Sequence, residues 1–337
     1  MYFRSFLNMM MILWCGAVAA QPEDSLTSSR KILKLMGTRF ELIALAENDS
    51  LSWNAINAGI AEIERIENLI SSWNPSSQTS SINRNAGIKP VTVSSELFQL
   101  IQRSIKVSRL TNGVFDISYA SMDNVWRYDG SMTELPSAKE MAVSVSKIGY
   151  TNIVLNAGTK SVFLRDAGMK IGFGAIGKGY AANRAREVMK QLGIENGVVN
   201  AAGDLFAWGK QADGKDWRIS IADPNDSKKV LCWLTIRNQA VVTSGNYEKF
   251  VEIDGVRYGH IIHPKTGMPV SGLKSATIIC PDAELADALA TSVFILGKVE
   301  GLALVNRLKQ VECLLIDAQN EVHTSKNLKV ELETTAP

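Results

Sequence analysis

Hydrophobic patterning becomes readable at Leu33. From there to Ala46 apolar and polar residues alternate (LKLMGTRFELIALA), the period of a half-buried strand, with a break at Met36-Gly37-Thr38. From Trp53 to Ile70 the period lengthens. Ile56, Ile60, Ile63 and Ile70 recur at helical spacing with Glu and Arg on the other face, which predicts an amphipathic helix whose isoleucines are core. The stretch 71–87 (SSWNPSSQTSSINRNAG) is polar and reads as a loop carrying one exposed aromatic, Trp73. Ser94 can cap a second helix running to Arg109, with Glu96 well placed in its first turn. TNGVFDIS then ends that helix and sets Asp116 directly after Phe115.

Short apolar runs at 153–155 and 161–164, joined by a glycine turn, predict two strands. The central stretch, 169–209, passes through Gly172, Gly174, Gly177 and Gly179 into a helix predicted from Lys178 to Leu192. Gly193 is its expected stop, and a second apolar run follows at 197–201. WRISIADP, VLCWLTI and AVVTSG predict antiparallel strands, and Asp254-Gly255 a hairpin turn between KFVEI and VRYGHII. Residues 274–280 read as another strand, and DAELADALATSVFILG as a helix from Asp282 to Gly297. A further helix over 299–309 and a last pair of strands complete the chain. Strand runs mixed with separated helices indicate an α+β fold, not a regular βαβ alternation. No repeat and no long Pro- or Ser-rich linker divides residues 32–332, which read as one domain.

Composition adds less. A chain of 337 residues, 46% hydrophobic, can bury a sizeable core as one large domain or two close lobes. A net charge of +2 without a dense basic block gives no support to nucleic-acid binding. The N-terminus is more informative. Arg4, an apolar run from Met9 to Cys15 and the small residues of AVAAQ predict a secretory signal peptide over 1–20, cleaved near Ala19 or Ala20. The apolar run is too short for a dedicated membrane span. A flexible polar leader is expected over 21–31, and export to the periplasm or cell envelope follows. Trp14 stands where a small residue should precede a lipidated Cys15, which favours soluble export over a lipid anchor. Cys232, Cys280 and Cys313 remain after cleavage. Three widely spaced cysteines in apolar runs read as buried thiols, not as a disulfide framework or a zinc site.

The glycine stretch invites two familiar readings. Gly172-x-Gly174-x-x-Gly177 matches the dinucleotide fingerprint, which also requires an acidic residue closing the next strand, roughly 20 residues on. Here the first acid, Asp204, lies beyond a further glycine turn. Gly172-x4-Gly177-Lys178 resembles a P-loop, but Gly179 replaces the hydroxyl that would hold Mg²⁺. What remains is a helix N-terminus able to offer N–H groups to an anion. On the late helix Asp287 and Thr291, four apart, share a face and offer hard oxygen ligands suited to Mg²⁺ or Ca²⁺. Alone, such a pair is usually a solvated or capped face; in so apolar a helix the aspartate needs a partner. His260 and His263 flank Ile261-Ile262 on a predicted strand entering HPKTG, and their spacing puts them on opposite strand faces. Thr243-Ser244-Gly245 adds hydroxyls at another strand end.

Taken together these residues resemble the ApbE family of FAD:protein FMN transferases. The resemblance runs from Met36 to Gly297 through MGT at 36–38, SSWNP…INR ending at Arg84, GVFDIS at 113–118 and GKGYAANRA at 177–185. It continues through NAAGDLFAWG at 200–209, TSGNY at 243–247, HIIHPKTGMP at 260–269 and DALAT at 287–291. It implies an ApbE-like fold of mixed and antiparallel sheets with packed helices. It also implies Mg²⁺-dependent transfer of FMN from FAD to a threonine of a redox protein bearing an Asp-x-x-Thr-Gly-Ala-Thr-like target, with AMP released. Membrane association would come through that acceptor or a lipid anchor. By motif match Asp287, Thr291 and the carbonyl of Ala175 would hold the metal. Met36, Trp73, Val114, Phe115, Asp116 and Gly172, with Lys178, Thr243, Ser244 and Ile261, would bind FAD. His260 and Asp287 would carry the catalysis, although either His260 or His263 could do the acid–base work. The chain departs from the family at Gly172 and His263, where Asp is common, at Ala202, where Gly is common, and at Asn183, again for Asp. FAD hydrolysis to FMN and AMP, or FAD binding without turnover, are the alternatives the same residues leave open.

Overall fold

The alternation around 33–46 becomes a hairpin, and that hairpin starts the sheet on which the rest is hung. The computed structural model describes residues 26–123, 125–246 and 249–332. The expected signal peptide and Tyr247 of the TSGNY run lie outside them. The first strand is Thr27–Leu35, so residues 27–31 are paired backbone and not leader. It is an edge strand in which only Ser29 and Leu35 are buried, and so its sequence shows little of the alternation that marks a half-buried strand.

Among the described residues the main sheet has eight strands: Thr27–Leu35, Thr38–Ala46, Asn196–Ala201, Asp204–Trp208, Gln239–Gly245, Leu273–Cys280, Glu312–Asp317 and Val322–Thr324. Their order in space is their order along the chain, and every neighbouring pair is antiparallel. Period-two alternation therefore divides each central strand between two faces. Phe40, Leu42, Val199, Phe206, Val242, Ile278 and Leu315 face the helices. Val198, Leu205, Val241, Ile279, Leu314 and Ile316 face a three-stranded sheet of Trp217–Asp223, Asp226–Ile236 and Glu331–Leu332. The fold is α+β.

One helix obeys the cap read from sequence, that of Ser94, and another starts four residues earlier than its periodicity predicted. Asn48 caps Asp49–Ile70, with Ile56, Ile63, Ile66 and Ile70 buried, and Ser94 caps Ser95–Leu110. The glycine-loop helix is Gly177–Gln191, which packs on Asp49–Ile70 and on the late helix, Ala283–Val305. The late helix is interrupted at Gly297, whose φ of 74° leaves the helical region where its first part was expected to end. Two expectations change. Within 71–87 a short helix, Gln78–Arg84, forms on the Ser77 cap. His260 to His263 do not continue a strand, because the hairpin Phe250–Ile253/Val256–Gly259 ends before His260. That segment is irregular instead, with Ile262 in an isolated antiparallel bridge to Pro269, and its flanks are held by the Trp126 Nε1–H to the Gly267 carbonyl at 2.8 Å and the Tyr128 hydroxyl to the Gly259 carbonyl at 3.0 Å.

Candidate functional site

One end of the main sheet opens into a cleft of about 1500 Å³. Two tight turns form part of its rim. Met36-Gly37, with φ values of 48° and 75°, joins Leu35 to Thr38, and Ala202-Gly203, at 53° and 100°, joins Ala201 to Asp204. Both are two-residue turns with positive φ at each position, the kind that suits a twisted hairpin. They lie side by side, since Phe40 pairs with Ala201. Met36 bears the left-handed backbone without being glycine, and its N–H donates to Glu67 Oε2 at 2.9 Å.

The cleft floor is the contact between the glycine-loop helix and the late helix. Gly179 allows that contact: a Cβ there would overlap the Ala283 carbonyl and stand 2.9 Å from the Asp287 Cβ. The missing P-loop hydroxyl thus has a packing cause. Asp287 is 3% exposed, and its Oδ2 accepts the Gly179 N–H at 3.0 Å while the Lys178 N–H also donates to its carboxylate. Burial pushes this carboxyl up; the Lys178 charge and the two N–H groups oppose the rise. This corrects the reading of the helix N-terminus as an anion cradle. The anion placed against its first turn is Asp287 itself, a cap delivered from a neighbouring helix.

Thr291 follows one turn later, its Oγ1 3.2 Å from Ser244 Oγ, and Thr243 Oγ1 lies 2.8 Å from Thr277 Oγ1. Asp287, Thr291, Ser244 and Ala175 all line the cleft. A carboxylate and hydroxyls with a backbone carbonyl at hand are the donor set of a hard cation, so these residues fit Mg²⁺ and not a soft metal. Lys178 is ion-paired with the buried Asp204 beside this group.

Every other site residue expected from sequence also lines this cleft: Met36, Trp73, Val114, Phe115, Asp116, Gly172, Lys178, Thr243, Ile261 and His260. Trp73 is 92% exposed, a bare ring at the rim. Asp116 is buried and occupied structurally, accepting from Ser118 N–H at 2.8 Å, Ser118 Oγ at 2.6 Å and Tyr150 N–H at 2.7 Å. Burial raises its pKa and those bonds resist the rise. The Gly172 N–H is spent on the Ile117 carbonyl at 2.9 Å. The two histidines separate. His260 is exposed on the cleft wall, with Nδ1 3.2 Å from the Lys249 carbonyl. His263 is not part of the lining; its Nδ1 accepts the Lys265 N–H at 3.1 Å, and burial with the Lys265 charge holds its pKa down.

Sequence reasoning missed several wall residues. Glu67, Arg218 and Trp233 were not weighed at all, and Asp204, which pairs with the lining residue Lys178, was weighed only against the dinucleotide fingerprint. Asp204 had a usable signal, an acid inside an apolar strand run that must find a cation.

A family model described as the ApbE family matches residues 36–315. The chain is 31% identical to an FAD:protein FMN transferase of Klebsiella pneumoniae over 290 residues, 86% of this chain and 89% of that one. It is 29% identical to one of Treponema pallidum over 292 residues, 81% of each chain. Among solved structures, the ApbE protein of Thermotoga maritima superposes with a TM-score of 0.81 at 28% identity, covering 89% of this chain and 97% of that one. The flavin transferase ApbE of Vibrio cholerae shares the fold with a TM-score of 0.79 at 23% identity, covering 89% and 98%.

Proposed function

The chain belongs to the ApbE family, and from that premise we propose that it transfers FMN from FAD to a threonine hydroxyl of a partner redox protein, releasing AMP. The observation that carries the reading is the convergence, on one cleft, of a hard-oxygen donor set, a cationic lysine and a histidine. Diphosphate chemistry needs those parts. Asp287, Thr291 and the Ala175 carbonyl would hold Mg²⁺, which when bound supplies positive charge to the diphosphate. Lys178, fixed by Asp204, adds a second positive charge.

The threonine oxygen attacks the phosphorus on the FMN side. The bond from that phosphorus to the bridging oxygen breaks, and the oxygen leaves with AMP. His260 accepts the hydroxyl proton, and its exposure lets a macromolecular substrate reach it. Met36, Trp73, Val114, Phe115 and Asp116 line the wall that would take the flavin or adenine ring. Because His260 is exposed, water reaches the same position when no acceptor is seated, so hydrolysis of FAD to FMN and AMP is the background reaction. The predicted signal peptide makes this an activity of the periplasm or cell envelope. Incubation with FAD, Mg²⁺ and an acceptor domain bearing the Asp-x-x-Thr-Gly-Ala-Thr target should give a flavin-fluorescent acceptor band in a denaturing gel. Asp287→Ala should abolish it; a band that persists at full intensity in that variant refutes the metal assignment.

A further inference from the structure

The three-stranded sheet ends at the cleft with an open edge. Trp217–Asp223 is its outer strand, paired among the described residues on one side only, with Asp226–Ile236. Five consecutive residues of it, Arg218 to Ala222, line the cleft. A strand that presented only one face would contribute alternate residues. A consecutive run means that the strand lies along the wall with its backbone edge toward the opening. Ile219 and Ile221 pack inward against the main sheet, and Arg218, Ser220 and Ala222 are exposed. The Arg218 guanidinium stacks over the Trp233 ring at 4.4 Å, and among the described residues no carboxylate lies within ion-pair distance of it. The wall thus offers a row of backbone donors and acceptors with one preset cation.

We infer that this edge is the docking strip for the acceptor protein: its flavin-accepting segment lies extended against Trp217–Asp223 with an acidic side chain on Arg218. The inference rests on the transferase reading above and specifies where its protein substrate sits. A cleft of about 1500 Å³ exceeds the ~300–1,000 Å³ of an ordinary small-molecule pocket, which leaves room for a polypeptide beside a dinucleotide. Strand addition to a free edge supplies main-chain hydrogen bonds whatever the peptide sequence, and a charge at one position sets the register. The alternative role for Arg218 is to blunt the edge against aggregation.

The test uses the full chain, the acceptor domain with the Asp-x-x-Thr-Gly-Ala-Thr target, and the same domain with that Asp changed to Lys. Arg218→Glu should raise the half-saturating concentration of the native acceptor roughly tenfold or more, since it sets two carboxylates face to face. It should leave FAD affinity, read by flavin fluorescence titration, within about twofold, which also reports that the variant is folded. The Lys-bearing acceptor should recover most of the loss with Arg218→Glu. Unchanged acceptor dependence would show that Arg218 only protects the edge and would overturn the inference. Weakened FAD binding with unchanged acceptor dependence would overturn it too, by assigning the strip to the dinucleotide. If the unsubstituted chain labels no acceptor, the transferase reading itself fails, and the docking strip with it.

Discussion

Asp287 and His260 line the same cleft and are held in opposite ways. Asp287 is 3% exposed, bonded to the first-turn N–H groups of a neighbouring helix and beside the Lys178 charge. His260 is exposed on an irregular segment that begins where a hairpin ends. The first is fixed by close helix packing, and any change in that packing moves it. The second depends on a peripheral cluster built from Trp126, Val251, Ile253 and Ile262 and can adjust without disturbing the main core. A group that positions charge gains from rigidity, whereas one that meets an incoming protein must be reachable.

The sharpest way to break this contrast is at the packing itself. Gly179→Ala places a methyl group into the Ala283 carbonyl and against Asp287. Overpacking of this kind costs about 3 kcal/mol or more, so a large fall in the urea midpoint is expected, with transfer lost. Gly174→Ala, in the same loop, meets open space and should shift stability by less than about 0.5 kcal/mol. Equal effects from the two would mean that the helix contact does not set the site.

Asp287→Asn separates position from charge. The amide oxygen can still accept the Gly179 N–H, and a buried charge is removed, so stability without Mg²⁺ should hold or rise. Transfer should fall by about 10²–10³-fold, the usual cost of losing one preorganised charge-stabilising group. Adding Mg²⁺ should raise the melting temperature of the unsubstituted chain and not of the variant, because only a binding site converts ligand into stability. A matching shift in the variant would place the cation elsewhere.

His260→Gln and His263→Gln sharpen the other side. The first should lower transfer about 10²-fold or more with little change in melting temperature. The second removes an acceptor for the Lys265 N–H at a residue that is not itself part of the cleft lining and should cost at most about 1 kcal/mol of stability, with transfer nearly intact. A reversal would move the acid–base role to His263.

Much of this was legible without coordinates, and the failures share a cause. Period and caps located the major helices, because the isoleucines of 56–70 and the Ser94 cap act within a few residues of sequence. The motif residues met on one cleft because several sit where strands and helices end, at Met36, Lys178, Thr243 and His260. What escaped depends on distant partners. Asp204 finds its cation in Lys178, 26 residues upstream, and Glu67 binds a turn 31 residues away. The helix N-terminus was read as open to a ligand because nothing local reveals that Asp287 would cap it from 108 residues downstream. Thr27–Leu35 and Gln78–Arg84 lack the expected periodicity, the one because it is an exposed edge and the other because it is short and polar.

The smallest effect concerns the helix surface away from the cleft. Arg65 donates to Glu62 at 2.7 and 2.8 Å and to Glu96 at 2.7 and 2.8 Å, which holds both carboxyls below their usual range. A depressed folded pKa means the unfolded chain binds protons first. Stability from this cluster is therefore complete above the ordinary Glu value of ~4.3 and is lost as pH falls through the lowered folded values. Glu284 acts with the opposite sign: burial raises its pKa, and acidification relieves the cost of its charge. Its partner Arg103, bonded at 2.7 and 2.9 Å, moderates that cost. Arg65→Ala should thus lower the urea midpoint modestly at about pH 7.5 and remove part of the further fall seen on going to about pH 3.5. Transfer at neutral pH should not change, since neither Arg65 nor Glu62 nor Glu96 lines the cleft. An acid-side fall as steep in Arg65→Ala as in the unsubstituted chain would assign the acid sensitivity to other carboxylates. A concurrent loss of transfer would show that this outer network, and not only the Gly179 contact, holds the glycine-loop helix in register.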